Sequence, residues 1–272
     1  MLQTLNSRGA ARVELPGLRY EYAAPERARA PVVLLPGLFA GGWMWDETWT
    51  SLLWQGFGVV RLVDPLAAVA ETAVGIAALR AALQQLLDGL ALGRYTLCGN
   101  SLGALVALDF AAHRPEAVES VVLSGAPGLT PDADLGVGVP PPRPPRAVRR
   151  DDVVELAHKL FHDPARATPD MIDWTYALLS GRRHVHNSVC ALRAARDYPI
   201  ADALSRLACR ALLVWGGNDA VTPGAPWKRM ARVLGGCTFR SVQRCGHSPM
   251  IERPRQFNRI LVEFLAREER WP

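Results

Sequence analysis

The chain has 272 residues, of which 49% are hydrophobic and 21% are charged, so it carries enough apolar surface to close one large core. Its 31 basic residues stand against 26 acidic ones and are spread along the sequence, which argues against a nucleic-acid-binding surface despite the net charge of +5. The five cysteines are scattered and show no C-x-x-C spacing, so we expect neither a disulfide framework nor a metal site. No apolar run reaches the roughly 18 residues of a membrane span, and the first 16 residues lack a signal-peptide core. We therefore expect a cytoplasmic protein without a membrane span.

Short apolar runs that end in turn residues indicate buried strands. They cover residues 32–35, 59–63, 95–98, 120–123 and 211–215. Helical periodicity over 72–87 and 102–113 alternates with these runs. Such alternation predicts an α/β fold with a mostly parallel central sheet flanked by helices. Ligand sites in such a sheet lie at the carboxyl ends of the strands.

The alternation breaks between residues 130 and 201. The stretch 139–146 is rich in proline and is predicted to be an extended linker, because proline lacks the N–H that helices and central strands need. Three helical patterns follow, over 151–161, 170–180 and 185–197. We predict a core domain of residues 1–129 and 202–272, interrupted by a helical cap over 130–201. The second half of the core is predicted to hold helices over 227–234 and 254–267 and a last strand over 238–242.

A glycine-flanked serine stands between a predicted strand and a predicted helix. Residues 99–103 read Gly-Asn-Ser-Leu-Gly, and the G-x-S-x-G pattern in this setting is typical of a nucleophilic serine on a sharp turn. Glycines two residues away leave room for the neighbouring strand and helix. The pattern indicates Ser101 as a nucleophile, with an incidental serine in a glycine-rich turn as the alternative.

A serine hydroxyl needs a base within reach and a third group that orients the base, and the chain order after this turn is acid, then histidine. His247 lies in a loop between the last predicted strand and the last predicted helix. Asp219 follows the 211–215 strand, whereas the turn after the 120–123 strand has no carboxylate. We predict His247 as the general base and Asp219 as its orienting acid. An exposed loop histidine and an ordinary turn aspartate are the alternatives.

Two backbone N–H groups are candidates for stabilising a developing oxyanion. Leu102 begins the helix after Ser101, so its N–H has no partner inside the helix. Leu38 follows the glycine of the loop after the 32–35 strand, where the second donor is expected. The alternative for the second segment is a hydrophobic turn that leads into a helix.

Four segments together resemble the α/β-hydrolase family. Residues 34–37 resemble its oxyanion loop, 98–103 its nucleophile elbow, 212–219 its acid strand and 246–254 its histidine loop. The resemblance implies the α/β-hydrolase fold with an inserted helical cap. The sequence departs from the family at Pro36, where a histidine is usual, and at residues 64–67, which keep only the aspartate of an Asp-x-Arg-Gly-x-Gly turn.

The implied reaction is hydrolysis of a carboxylic ester or thioester of a small-to-medium hydrophobic substrate through an acyl-enzyme, with no metal or organic cofactor. The same residues are compatible with hydrolysis of a carbon–carbon bond, or with acyl transfer or cyclisation. A ligand receptor with a retained triad is a non-enzymatic alternative. The candidate substrate-binding residues are Phe39, Trp43, Trp174, Leu178 and Arg193, with core packing or, for Arg193, a solvated helix face as the alternative. The partner is a small molecule, and the sequence leaves the oligomeric state open.

Overall fold

The computed structural model of the protein describes residues 3–4, 11–15, 18–26, 29–64, 66, 74–129 and 148–267. Nine strands in this part of the chain form one sheet. They are β1 Gln3–Thr4, β2 Ala11–Leu15, β3 Leu18–Ala23, β4 Val32–Leu35, β5 Val59–Leu62, β6 Tyr95–Asn100, β7 Val118–Ser124, β8 Arg210–Gly216 and β9 Cys237–Val242. Their order across the sheet is β1-β2-β3-β5-β4-β6-β7-β8-β9.

The strands from β5 to β9 in this order run parallel to one another. They include all five predicted parallel strands and the predicted last strand, so the predicted sheet is confirmed. Every residue of β4 and β6 is buried, because both faces of these strands are covered. This is why β4 appears in the sequence as an unbroken apolar run and β6 as a mostly apolar one. The antiparallel strands β1 to β3 were not predicted. In β3, sequence LRYEYA, polar residues interrupt the apolar ones, as is typical of a half-covered antiparallel strand.

Helices cover both faces of the sheet. Those outside the region between β7 and β8 are α1 Asp46–Trp54, α2 Ile76–Leu90, α3 Leu102–His113, α8 Ala225–Val233, α9 Pro249–Glu252 and α10 Pro254–Leu265. One core holds the buried residues of α2, α3 and α8, and the other holds those of α1, α9 and α10. Helix α3 is buried from Leu102 to Ala112, so its position against the sheet is tightly constrained.

Four further α-helices lie between β7 and β8, and we call the described residues 148–205 the helical insert. They are α4 Arg150–Leu160, α5 Pro169–Leu179, α6 Arg182–Arg196 and α7 Ile200–Ser205. The first three correspond to the predicted helices. Helix α7 was not predicted, and the expected boundary at residue 201 falls inside it. The proline-rich stretch 139–146 lies outside the described residues.

None of the helices that the structure describes is both long enough and apolar enough to cross a membrane.

Candidate active site

Ser101 stands at a sharp turn between β6 and α3. Its backbone has φ 54° and ψ −120°, in a region that L-residues rarely adopt and that costs on the order of 1–3 kcal/mol. The Ser101 N–H donates to Ser124 O at 2.8 Å, which ties the turn to the end of β7. The strained conformation is therefore held by the strands and the buried helix around it.

Gly99 and Gly103 have no room for a side chain. A Cβ at Gly103 would lie 2.3 Å from Leu35 O, and a Cβ at Gly99 would lie 2.3 Å from Gly103 O. Both obstacles are backbone atoms, which cannot swing aside as the end of a side chain can. The close approach of strand and helix expected from the sequence is therefore present at both glycines.

His247 and Asp219 form a buried acid–imidazole pair. His247 Nδ1 lies 2.9 Å from Asp219 Oδ2, and the two side chains are 4% and 1% exposed. Thr222 Oγ1 also donates to Asp219 Oδ2, at 3.0 Å. The other carboxylate oxygen accepts the N–H groups of Val221, at 2.9 Å, and Thr222, at 3.0 Å. Because a carboxylate only accepts, Nδ1 carries the proton of the neutral imidazole, and Nε2 is left free to act as a base.

The environment of Asp219 favours its charged form. Burial raises the pKa of this carboxyl, but His247 and the N–H groups of Thr222 and Val221 outweigh burial, so the pKa is lowered from its ordinary value. The carboxylate is therefore ionised at neutral pH. It can hold the His247 ring in one tautomer and stabilise an imidazolium that forms during a reaction.

Asn100 joins the serine turn to the histidine loop. Its buried side chain donates from Nδ2 to His247 O at 3.0 Å and to Ser124 O at 3.3 Å. Gly125 packs against the imidazole, since a Cβ there would lie 2.6 Å from His247 Cε1. Among the described residues the Ser101 hydroxyl has no hydrogen bond to His247, a contact that in hydrolases often forms only when substrate is bound.

The predicted oxyanion donors lie beside Ser101. The N–H groups of Leu38 and Leu102 have no acceptor within the part of the chain that the structure describes. A Cβ at Gly37 would lie 3.4 Å from Ser101 Cβ, which brings the loop after β4 next to the serine. The Gly37 N–H points to Met44 Sδ at 3.4 Å, so a methionine sulfur braces this loop, which lacks the usual histidine.

A cavity of about 90 Å³ lies over Ser101, between the sheet and the helical insert. The polar side chains that line it are Asn100, Ser101, Thr175, Thr222, His247 and Ser248. The insert supplies apolar walls. They are formed by Val153, Leu156, Ala157 and Leu160 on α4, by Phe161 directly after it, by Met171 and Ile172 on α5, and by Leu192 and Ala195 on α6. None of the described residues that line the cavity is charged. Apolar burial therefore dominates what this cavity can recognise.

Two of the five predicted substrate-binding residues line the cavity, namely Phe39 and Trp43. The other three, Trp174, Leu178 and Arg193, are not among the lining residues. Trp174 packs edge-on against the lining residue Trp43, with ring centroids 5.9 Å apart. Half-buried Leu178 is not part of the lining. Arg193 is exposed, because successive residues of a helix are turned by about 100° and α6 directs Leu192 and Ala195 inward.

Sequence reasoning missed the polar side chains that hold the serine turn and the histidine loop in place. Asn100 was treated as a variable position of the G-x-S-x-G pattern, although a polar residue at the end of a buried strand is a signal of a specific partner. Thr222, which donates to Asp219, was not predicted to have a role. Thr175 Oγ1 donates to Phe39 O at 3.0 Å, which links α5 to the loop after β4, and nothing local in the sequence indicates this contact.

A parallel sheet with a serine on a strand–turn–helix and an acid–imidazole pair at the same edge defines the class of α/β hydrolases. The profile of the Alpha/beta hydrolase family matches residues 32–260. A 2-hydroxy-6-oxononadienedioate/2-hydroxy-6-oxononatrienedioate hydrolase of Burkholderia vietnamiensis is 30% identical over 192 residues, which cover 68% of this chain and 67% of that protein. A 2-hydroxy-6-oxo-6-phenylhexa-2,4-dienoate hydrolase of Comamonas testosteroni is 26% identical over 203 residues, with coverage of 68% and 67%.

Among solved structures, a serine hydrolase involved in carbazole degradation matches with a TM-score of 0.76 at 20% sequence identity, over 98% of both chains. This likeness shows the fold. Since the family profile covers most of the sequence, the chain belongs to the Alpha/beta hydrolase family.

Proposed function

We propose that the protein is a serine hydrolase that cleaves an ester-like bond of a small, uncharged, hydrophobic acyl substrate. The observation that carries the proposal is that strained Ser101 and Asp219-paired His247 face one apolar cavity. The helical insert supplies much of the cavity wall, and we propose that it acts as the lid that selects the substrate.

In the proposed reaction Ser101 Oγ attacks the acyl carbon while its proton passes to His247 Nε2. The N–H groups of Leu38 and Leu102 donate to the oxyanion that forms, each contributing about 3 kcal/mol to the transition state. Collapse of the tetrahedral intermediate breaks the bond to the leaving group, which takes the proton from His247. Water then attacks the acyl-enzyme and gives its proton to His247. The second tetrahedral intermediate breaks the bond to Ser101 Oγ, which takes this proton from His247 as the acid is released.

The lining of the cavity supports an uncharged substrate. A carboxylate buried without a cationic or hydrogen-bonding partner costs several kcal/mol, and no lysine or arginine stands among the described residues that line the cavity. Apolar side chains such as Leu156, Met171 and Leu192 instead suit an aliphatic or aromatic acyl group. We therefore place esters and thioesters of neutral acyl groups first.

Hydrolysis of a carbon–carbon bond is the second candidate, and the relatives favour it. The Burkholderia and Comamonas proteins are named as hydrolases of 2-hydroxy-6-oxo acids, and in such compounds a hydrolase has a carbon–carbon bond to break. The proposed serine, base and oxyanion donors would serve that reaction equally well. The named substrates carry one or two carboxylates, however, for which the described cavity lining offers no cation.

The test compares Ser101→Ala with Ser205→Ala, an exposed serine of α7, on p-nitrophenyl butyrate. Ser101→Ala should lose at least about 10⁴-fold in kcat, and Ser205→Ala should keep wild-type turnover. p-Nitrophenyl hemisuccinate, which has a charged acyl group, should be a poorer substrate than the butyrate by about tenfold or more in kcat/KM. Full activity of Ser101→Ala would refute the mechanism. Faster turnover of 2-hydroxy-6-oxo-6-phenylhexa-2,4-dienoate than of any ester would move the second candidate to first place.

A further inference from the structure

Glu252 links the histidine loop to the helical insert. Glu252 belongs to α9 and is only 1% exposed. Its two carboxylate oxygens accept hydrogen bonds from different segments of the chain. Oε1 accepts the Gly246 N–H at 2.6 Å. Oε2 accepts the N–H groups of His162 at 2.9 Å and Asp163 at 3.2 Å, just after the end of α4. One carboxylate therefore holds the residue before His247 and the segment that follows an insert helix.

The backbone of the two segments is in direct contact as well. The His247 N–H donates to Leu160 O, at the end of α4, at 2.7 Å. A Cβ at Gly246 would lie 2.5 Å from Leu160 O and 2.7 Å from His162 N. No side chain fits between the loop and the insert, so a shift of either segment must move the other.

The chemistry of the junction calls for a carboxylate. The partners of Glu252 are three N–H groups and, at 3.8 Å, the Cys245 thiol, and among the described residues no lysine or arginine forms an ion pair with it. Burying a carboxylate is costly and is offset here by donors alone. An amide of the same size would turn its NH₂ group toward N–H donors on one side, so it can satisfy only one of the two segments.

We propose that Glu252 is a positioning residue for the reaction, acting through the backbone of His247. By fixing the histidine loop to the end of α4, it keeps the imidazole in register with the cavity wall formed by Leu156 and Leu160, which α4 supplies. The consequence is that the insert takes part in holding the base as well as in selecting the substrate. This inference rests on the proposed function, in which His247 is the base.

The first test uses Glu252→Gln, with Asp109→Asn as the matched control. Asp109 is also a buried carboxylate, but its side chain is bonded to Arg80 and Tyr198 and not to the histidine loop. Glu252→Gln should lower kcat for p-nitrophenyl butyrate at least tenfold, with KM changed less than threefold. The rate at which a fluorophosphonate labels Ser101 should fall by the same factor, because labelling depends on the base. Asp109→Asn should lose thermal stability but keep kcat and the labelling rate within about twofold.

Gly246→Ala perturbs the same junction while leaving Glu252 intact, so it tests the proposal even if Glu252→Gln does not fold. It should reproduce the loss of kcat and of labelling rate. Hydrogen exchange gives a readout without turnover, since in either variant the amides of residues 160–163 and 245–247 should exchange faster together. The proposal is overturned if folded Glu252→Gln retains kcat and labelling within twofold, if only KM rises, or if exchange rises in one segment alone. A wild-type protein that neither turns over esters nor is labelled would refute the proposed function, and the exchange experiment would still decide whether Glu252 couples the two segments.

Discussion

Replacing Asp219 by asparagine tests how the acid directs the base. Asp219 Oδ1 accepts two backbone N–H groups, from Val221 and Thr222, so the amide oxygen of an asparagine must take this position. Its NH₂ group then faces His247 Nδ1, which lies 2.9 Å from the present Oδ2. The NH₂ donates to Nδ1 and forces the imidazole proton onto Nε2, where it blocks proton transfer from Ser101.

The wrong tautomer is expected to lower kcat by about 10⁴-fold, as in other triads of this geometry, which corresponds to about 5.4 kcal/mol in the barrier. KM should change less than threefold, because Asp219 does not line the cavity. The assay is steady-state hydrolysis of p-nitrophenyl butyrate at pH 7.5, with circular dichroism to verify folding. Asp202→Asn, which alters an exposed aspartate paired with Arg206 at 2.8 Å, is the matched control and should stay within twofold of wild type.

A folded Asp219→Asn protein that keeps more than about a tenth of the wild-type kcat would refute this reasoning. It would mean that another group orients the imidazole or that His247 is not the base.

Three further predictions concern stability. Gly103→Ala should destabilise the protein by about 3 kcal/mol, because its Cβ would lie 2.3 Å from a backbone oxygen; an unchanged melting temperature would contradict this. Burial lowers the pKa of His184 despite the Asp64 carboxylate 3.8 Å away, so the unfolded chain binds more protons as the pH falls through about 6.5, and stability should drop there. Urea unfolding of both proteins at pH 7.5 and 5.5 should show that His184→Gln loses less stability between the two pH values than wild type does. An identical loss in the variant would exclude His184 as its source. Tyr198→Phe removes an O–H that donates to buried Asp109 at 2.7 Å and should cost about 1–2 kcal/mol in urea unfolding, with kcat unchanged; unaltered stability would show that Arg80 alone satisfies the carboxylate.

The central part of the fold could be predicted because its strands are covered on both faces. Such strands appear as short, largely apolar runs that end in turn residues, as β4 and β6 do. The antiparallel strand β3 carries charged residues among its apolar ones and gives no such signal. Helix α1 follows the loop after β4, and the sequence suggested it only as part of the alternative to an oxyanion loop. A nine-residue helix rich in tryptophan and threonine has a weak intrinsic helix propensity.

The site divides in the same way, into residues marked by local patterns and residues defined by distant contacts. Ser101 and His247 stand in short motifs placed directly after strands, so elements close in the chain indicate their roles. Asn100, Thr175 and Glu252 act on backbone atoms far along the sequence, and only the folded arrangement brings those atoms near. Arg193 is a different case, because its residue type suggested a role in binding, whereas the phase of α6 places it on the exposed face of the helix.

The most direct test of the account is intact-protein and peptide mass spectrometry after reaction with a fluorophosphonate. We predict one label per chain, carried by the peptide that contains Ser101, and no label in Ser101→Ala. An unlabelled wild-type protein, or a label on a different serine, would contradict the claim that Ser101 is the activated nucleophile.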